Sequence, residues 1–473
     1  MVCDKKLVRK VASYKHNMCG AARRTEKGSK MNRTMKTAVG MLAVAAMAVP
    51  LAACGGGSGS GSSDGKGTVY FLNFKPEAND QWQELAKKYE EEKGVKVKIQ
   101  TAASGTYEQT LKSELSKSEA PTIFQVNGPV GYASWKAYTA DLKDTEIYKQ
   151  MNDQSLALSD GDKVVGVPYV IESYGIIYNK DLVAKYTALD GAKIKEASEI
   201  NSFDKLKEVA QDMQKRKADL GIEGAFTSAG FDSSSDWRFK THLANIPLYY
   251  QFKKDNVETQ PATIKDMYMD NFKNIFDLYI DNSTTPKTQL SSKTGDDASS
   301  EFALGKAAFY QNGTWAWSDL QKAGMKADSV GMLPIYIGVD DATEGLATGS
   351  ENYWCINAKA SEADQKASEE FLNWVISSDE GKESLSTDMG FTTPFKTFND
   401  VKTDNPLIAD ANASIQDSKL TQVAWDFSMM PSEEYKNVLG QAMLAYAQGT
   451  GSWDDVVKAF VDNWATEYNA THE

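Results

Sequence analysis

The sequence has few of the side chains that bind transition metals or form disulfides. Among its 473 residues are only 3 His and 4 Cys. Most of these lie in the first 54 residues, which leaves His242, Cys355 and His472 for the rest of the chain. Two histidines so far apart do not make a His-rich zinc site, and one cysteine cannot form a disulfide framework. We therefore expect no metal site, no disulfide framework and no cofactor.

Basic side chains are scarce beyond the first 54 residues. The chain has 52 Lys+Arg and 65 Asp+Glu, of which residues 1–54 hold 11 basic and 2 acidic ones. The remaining 41 basic and 63 acidic residues give residues 55–473 a net charge of −22. Such a surface repels nucleic-acid phosphates and anionic lipid headgroups. Nucleic-acid binding is therefore not expected.

Residues 31–54 have the pattern of a bacterial export signal. Arg33 and Lys36 precede a short apolar stretch over residues 38–53, which ends in small residues. This stretch is too short and too weakly flanked for a membrane span. We interpret residues 1–53 as an upstream basic segment followed by a signal peptide, and we expect translation to begin at Met31, with Met35 as the alternative start.

Residues 51–54, Leu-Ala-Ala-Cys, resemble the bacterial lipobox. The resemblance implies that Cys54 is diacylated, and two acyl chains give a stable anchor. Residues 54–67 would then be the lipidated cysteine and a flexible Gly/Ser tether. We accordingly expect an exported protein that is attached to the outer face of the cell membrane through lipid alone.

From residue 68 onwards, strand and helix patterns alternate. Strands are predicted at 68–74, 95–100 and 121–126, with a helix between each pair and Gly94 as the end of the first helix. This βαβαβ order predicts an α/β fold with an open, mostly parallel sheet. In such sheets ligands bind beyond the carboxyl ends of the strands.

Four later segments resemble the extracellular solute-binding proteins of carbohydrate ABC importers, of the maltose-binding-protein type. The segments occur in the order of that family and span most of the chain after residue 68. They are DGDKVVGVPYVIESYGIIYNKD (160–181), FALGKAAFYQNGTWAW (302–317), EEFLNWVISSDEG (369–381) and MGFTTP (389–394).

The resemblance implies a two-lobed periplasmic-binding-protein-like fold of class II, in which each lobe is a mostly parallel sheet flanked by helices. The expected N-terminal lobe comprises 68–171 and 356–396, and the C-terminal lobe comprises 172–355 and 397–473. A di- or oligosaccharide would bind between the lobes by hinge closure and pass to ABC-transporter permease subunits. The resemblance thus implies a monomeric binding protein and not an enzyme.

The resemblance also implies individual site residues. A sugar presents apolar C–H faces and a rim of hydroxyls, so its sites combine aromatic rings with hydrogen-bonding side chains. Trp315 lies where the family stacks a sugar ring, and Trp237 resembles a second-lobe aromatic that faces the cleft. Glu172 occupies a hinge position that supplies a ligand carboxylate. Asn127 stands where maltose-type binders often have an acidic residue.

Other polar residues complete the predicted site. Lys75 and Glu77 follow the first strand and match a charged loop of the family. The remaining predicted ligand-binding residues are Tyr107, Asn312, Glu351, Asn352 and His242. A purely structural role is the alternative for Trp237, Tyr107, Glu351, Asn352 and His242.

Two other functions fit the same sequence features. A secreted glycoside hydrolase needs two carboxylates about 5–9.5 Å apart, and the abundant acidic residues do not exclude such a pair. The same fold could also bind a peptide or a polyamine. The sequence has no Gly-x-x-x-x-Gly-Lys-Ser/Thr loop, so we do not expect this chain to power transport itself.

Overall fold

The computed structural model of the chain describes residues 66–103, 105–228 and 230–472. The export signal, Cys54 and most of the tether lie outside the described residues, so these features stay predictions. Within the described ranges, no helix combines the length and the hydropathy that a membrane span requires.

The first sheet contains the three strands that the sequence predicts at its N-terminal end. Its six strands are β1 (Val69–Asn73), β2 (Val97–Thr101), β3 (Ile123–Asn127), β4 (Leu158–Asp160), β5 (Lys163–Pro168) and β11 (Asn352–Ile356). They have the order β2-β1-β3-β11-β5-β4. Strand β1 pairs in parallel with both β2 and β3, as the βαβαβ pattern predicts.

The second sheet is built around one long strand. Its strands are β6 (Glu172–Asn179), β7 (Gly224–Phe226), β8 (Ala307–Gly313), β9 (Val330–Leu333), β10 (Glu344–Gly349) and β12 (Thr421–Val423). Their order is β12-β10-β6-β8-β7, and β9 also pairs with β6. Strand β6 runs antiparallel to β8, β9 and β10.

Both sheets are mixed, which corrects the expectation of mostly parallel sheets. In the first sheet β11 runs antiparallel to β3 and β5, and β4 runs antiparallel to β5. The cause is the path of the chain, which leaves the first sheet after β5, enters the second at β6, and returns from β10 to β11. A strand that arrives from the other sheet enters antiparallel to its neighbours. Strands β4 and β5 are antiparallel because they form a hairpin, with only residues 161–162 between them.

Two of the three crossings between the sheets, from β5 to β6 and from β10 to β11, lie close together. Only residues 169–171 separate β5 from β6, and only Ser350 and Glu351 separate β10 from β11. Glu172 pairs with Gly349 in the second sheet. The predicted lobe boundary after residue 355 falls inside β11, because this buried strand is the return connection and already belongs to the first sheet.

Helices cover both sheets. The predicted first helix is present and ends at Gly94, whose φ of 64° gives the left-handed C-cap that glycine favours. The helices are α1 (Asn79–Lys93), α2 (Tyr107–Leu115), α3 (Gly128–Trp135), α4 (Glu146–Lys149), α5 (Lys180–Thr187), α6 (Phe203–Lys215), α7 (Lys217–Leu220), α8 (Ala244–Asp255), α9 (Met269–Asp281), α10 (Gly295–Ala303), α11 (Trp317–Lys322), α12 (Glu362–Ser377), α13 (Asp379–Glu383), α14 (Pro406–Gln416), α15 (Glu433–Ala447) and α16 (Trp453–His472).

Each sheet has its own apolar core. In the first, the fully buried Trp354 on β11 stacks on Tyr169 with ring centroids 4.5 Å apart and meets Trp82 edge-on. In the second, Phe226 and Phe309 pack on Tyr279 and its neighbours. The molecule therefore has two α/β lobes, which are connected by short crossover segments.

We expect Trp354→Ala to destabilise the protein by about 3–5 kcal/mol, because it removes a fully buried ring and leaves a cavity beside Tyr169 and Trp82. Chemical denaturation measures the loss. Leu304→Ala is the control, since this leucine is 70% exposed and its truncation should leave the free energy of unfolding nearly unchanged. Equal effects of the two substitutions would contradict the assigned core.

Candidate functional site

Lys75 lies beyond the carboxyl end of β1, at the rim where the sequence predicts a ligand. The side chain is almost fully buried, and Nζ donates to both carboxylate oxygens of Glu172, at 2.8 and 3.0 Å. Glu77 approaches the same ammonium to 3.6 Å. The structure thus joins three of the predicted residues, from the first-sheet rim and from the first position of β6.

The charges of this group are mutually compensating. Burial by itself would lower the pKa of Lys75, but the Glu172 and Glu77 carboxylates outweigh burial and raise the pKa above its usual value. The ammonium therefore stays charged over the whole physiological range. A buried charge is tolerated only with such partners, and a pair with good geometry is needed to offset desolvation.

Trp237, His242, Trp315, Trp425 and Tyr174 form one group of rings on the second lobe, called here the aromatic cluster. Trp315 follows β8 on a short 3-10 turn. Trp237 directly precedes a π-helical turn over Arg238–Leu243, and His242 lies within that turn. The Trp315 ring lies 6.0 Å from Trp237, 5.5 Å from His242 and 6.5 Å from Trp425, between centroids. Trp237 and Trp315 are partly exposed, whereas the other three rings are buried.

His242 is held inside the cluster by stacking. Its ring is nearly parallel to Tyr174, at 4.2 Å between centroids. Burial, helped by the nearby Arg238 guanidinium, holds the pKa of His242 well below its usual value. The imidazole is therefore neutral, and it can offer one donor and one acceptor without adding charge.

Lys75 connects the two lobes at the cluster. Its ammonium lies 5.8 Å from the centroid of the Trp315 ring and 5.7 Å from that of Phe391, within the range of cation–π attraction. The charged rim of the first lobe thus meets the partly exposed tryptophan of the second. This contact brings the predicted polar and aromatic residues into one site.

Unpaired hydrogen-bonding groups lie beside the crossings. Asn127 at the end of β3 and Asn352 at the start of β11 are opposite each other in the sheet. The side-chain oxygens of both are buried and have no hydrogen-bond partner among the described residues, and the same holds for Ser350 Oγ and Trp425 Nε1. These atoms could bind hydroxyl groups of a ligand.

Glu351 lies in the two-residue link between β10 and β11. Burial raises its pKa to about 7, and the Lys436 ammonium opposes this rise only in part. The carboxyl group is therefore partly protonated near neutral pH.

Two predicted site residues have structural partners instead. The Tyr107 hydroxyl accepts from the backbone N–H of Gln125 at 2.7 Å and lies 3.3 Å from the Leu72 carbonyl oxygen, to which it donates. Asn312 is buried and donates to the Tyr310 hydroxyl at 2.6 Å. Neither side chain joins the aromatic cluster.

Several members of the site were not predicted. Tyr174 and Phe391 lie in two of the family-like segments, 160–181 and 389–394, but were not singled out as site residues, and the sequence did not point to Ser350 or Trp425. Arg238 directly follows Trp237, and its guanidinium lies 4.3 Å from that ring; the adjacent Trp-Arg pair was the available signal. The described residues contain no group of three or more His, Cys, Asp or Glu placed to hold a metal ion.

We expect Glu351 to make the protein less stable as the pH rises. The folded-state pKa of Glu351 is about 7, so the native carboxyl stays protonated in a pH range where the carboxyl of the unfolded chain, with a pKa of about 4.5, ionises. The protonated carboxyl therefore stabilises the folded state fully below about pH 4.5, and this stabilisation is lost as the pH rises through 7. Glu351→Gln should therefore stabilise the protein at pH 8 relative to wild type, by up to about 3 kcal/mol, and leave pH 4 unchanged. Denaturation at both pH values tests this, and a pH-independent difference would contradict it.

We expect strong coupling between Lys75 and Glu172. Lys75→Met or Glu172→Gln leaves the other group buried without its partner and should cost about 3–5 kcal/mol, whereas the double variant should lose much less than the sum. A double-mutant cycle by denaturation measures the coupling. The exposed pair Lys87–Glu91, 3.9 Å apart, is the control and should show almost none.

Comparison with known proteins places the chain among binding proteins. A family model described as bacterial extracellular solute-binding protein matches residues 84–414. The fold is similar to the solute-binding protein RafE in complex with raffinose, with TM-score 0.64 and 19% identity over 85% of this chain and 99% of that one.

Two further solved structures show the same likeness. A chitin oligosaccharide binding protein has TM-score 0.66 and 17% identity over 86% of this chain and 98% of its own. A sugar transporter protein from Bacillus licheniformis in complex with stachyose has TM-score 0.64 and 17% identity over 85% and 100%. The family model covers most of the chain, and the two-lobed fold agrees with the folds of these structures. This protein therefore belongs to the bacterial extracellular solute-binding protein family.

Proposed function

We propose that the protein binds a di- or oligosaccharide between its lobes and delivers it to the permease subunits of an ABC importer. The observation that carries this proposal is the partly exposed Trp315, which stands in the aromatic cluster and faces Lys75 on the rim of the first lobe, where Glu172 pairs with the Lys75 ammonium. A flat ring beside hydrogen-bonding groups is the arrangement that a sugar requires.

The unpaired atoms supply the polar half of the site. Sugar hydroxyls can donate to the side-chain oxygens of Asn127 and Asn352, and accept from Trp425 Nε1. Since Lys75 is already compensated by two carboxylates, the site favours a neutral ligand over an anionic one. The names of the similar structures support this class, because raffinose, chitin oligosaccharide and stachyose are sugars.

Closure follows from the division of these groups between the lobes. The rings belong to the second lobe, while Lys75, Glu77 and Asn127 belong to the first. A ligand that contacts both sets has a higher affinity for the closed arrangement and shifts the hinge equilibrium towards it. Binding and release, with no chemical step, are then the whole activity of this chain.

A thermal-shift screen of the purified protein tests the ligand class. At a hundred times Kd, a true ligand adds about 2.7 kcal/mol of stability. We expect a shift with neutral oligosaccharides and none with peptides or polyamines. Sustained release of reducing sugar from the same oligosaccharides would instead indicate a glycoside hydrolase and overturn the proposal.

We expect Trp315→Ala to weaken sugar binding more than tenfold, because it removes the stacking surface, while thermal stability changes little. Calorimetry measures the affinity. Trp453→Ala is the matched control: this tryptophan is also partly exposed in the second lobe, but it packs on Phe272 and Tyr446. Unchanged affinity in the Trp315 variant would remove Trp315 from the site.

For attachment we propose that Cys54 carries the lipid anchor and that the mature protein is a monomer on the outer face of the cell membrane. The support is the lipobox-like sequence followed by the Gly/Ser tether. Cys54→Ser should release the protein into the medium, as measured by fractionation. Retention of the variant on membranes would contradict the lipid anchor.

A further inference from the structure

The lobes approach each other closely at two glycines of the first lobe. Gly105 lies two residues before α2, in the connection that follows β2, and Gly128 is the first residue of α3, directly after β3. Both have positive φ, 73° and 61°. Opposite them, on second-lobe loops, lie Ser233 and Ser428.

Neither glycine has room for a normal side chain. A Cβ on Gly105 would lie 3.1 Å from the carbonyl oxygen of Ser233, and one on Gly128 would lie 3.1 Å from the Cβ of Ser428. Ordinary carbon contacts are about 3.5–4.0 Å, so either Cβ would push the facing loop away by a few tenths of an ångström.

The positive φ does not by itself explain these contacts. Gly161, with φ 61°, and Gly449, with φ 74°, have the same backbone conformations, yet nothing lies within 4 Å of a Cβ built on them. Gly105 and Gly128 thus combine a left-handed conformation with a close approach between lobes. Glycine satisfies both requirements at once.

The facing serines are close in sequence to the aromatic cluster. Ser233 comes four residues before Trp237, and Ser428 comes three residues after Trp425. A displacement of either loop would therefore move a ring of the cluster relative to the rim that carries Lys75. Stacking and hydrogen bonding both weaken over such distances.

We propose that Gly105 and Gly128 are the closing contacts of the cleft, and that their missing side chains set how tightly the two lobes close on the ligand. They act as positioning residues through the loops of Trp237 and Trp425 and do not touch the ligand. This inference rests on the proposed function, since it concerns closure around a bound sugar.

Matched alanine variants test the proposal. The double variant Gly105→Ala/Gly128→Ala is compared with the control Gly161→Ala/Gly449→Ala. In the control the alanines have nearly the same φ values, but their side chains contact nothing. We expect at least fivefold weaker sugar affinity and faster dissociation in the first variant, and affinity within twofold of wild type in the second. The backbone cost of alanine is the same in both variants, so any larger loss of thermal stability in the first variant reports the crowded contact with the facing serines.

A crosslink tests the contact independently of the affinity measurement, both with and without added sugar. In Gly128→Cys/Ser428→Cys the Cβ atoms would be near the 3.5–4.5 Å separation of disulfides. With added diamide, which accepts the two electrons and two protons, the thiols should join in one S–S bond, identified by mass spectrometry of the peptides carrying residues 128 and 428. The buried Cys355 does not compete.

The outcomes separate the inference from the function. Crosslinking together with a selective affinity loss in the first alanine variant supports the proposal. Absence of the 128–428 crosslink, or equal affinities in the two alanine variants, overturns it while sugar binding stands. If the unmodified protein binds no sugar of the panel, the proposed function fails, and the inference that depends on it fails with it.

Discussion

The buried ion pair between Lys75 and Glu172 is the interaction on which the site depends. Lys75 Nζ lies 2.8 Å from a carboxylate oxygen of Glu172. At this distance each charge compensates the other, whereas neither could be buried alone. Lys75 comes from the rim of the first sheet and Glu172 from the first position of β6. The pair therefore ties the end of one sheet to the crossing that leads into the other, and it holds the ammonium beside Trp315.

Around this pair, each lobe contributes a different kind of surface. The second lobe supplies packed rings, in which His242 is neutral because burial disfavours its charged form. The first lobe supplies charged and amide groups at strand ends. The short links between sheets, 169–171 and 350–351, carry few residues that could absorb a large rearrangement. A rigid-body hinge motion of two packed lobes is the change that such a connection allows.

Much of the fold followed from local patterns. The first three strands, the helix that ends at Gly94 and the α/β class come from runs of apolar residues and from glycine chemistry, which act over a few neighbours. The mixed direction of the sheets did not follow, because it depends on how the chain crosses at β6 and β11. The same long-range pairing places residues 352–355 in the first sheet.

For the site, the sequence by itself determined the residue types and the family: a Trp in an Asn-Gly-Thr-Trp segment, a Glu at a crossing, polar strand ends, and too few His and Cys for metal or disulfide chemistry. Only the tertiary structure decided which of these residues meet. It paired Lys75 with Glu172, gave Tyr107 and Asn312 internal hydrogen bonds, and added Tyr174, Trp425 and Phe391. The reason is physical: composition and spacing fix what a side chain can do, whereas contacts between distant residues, such as Lys75 with Glu172 or with Phe391, exist only once both lobes have packed.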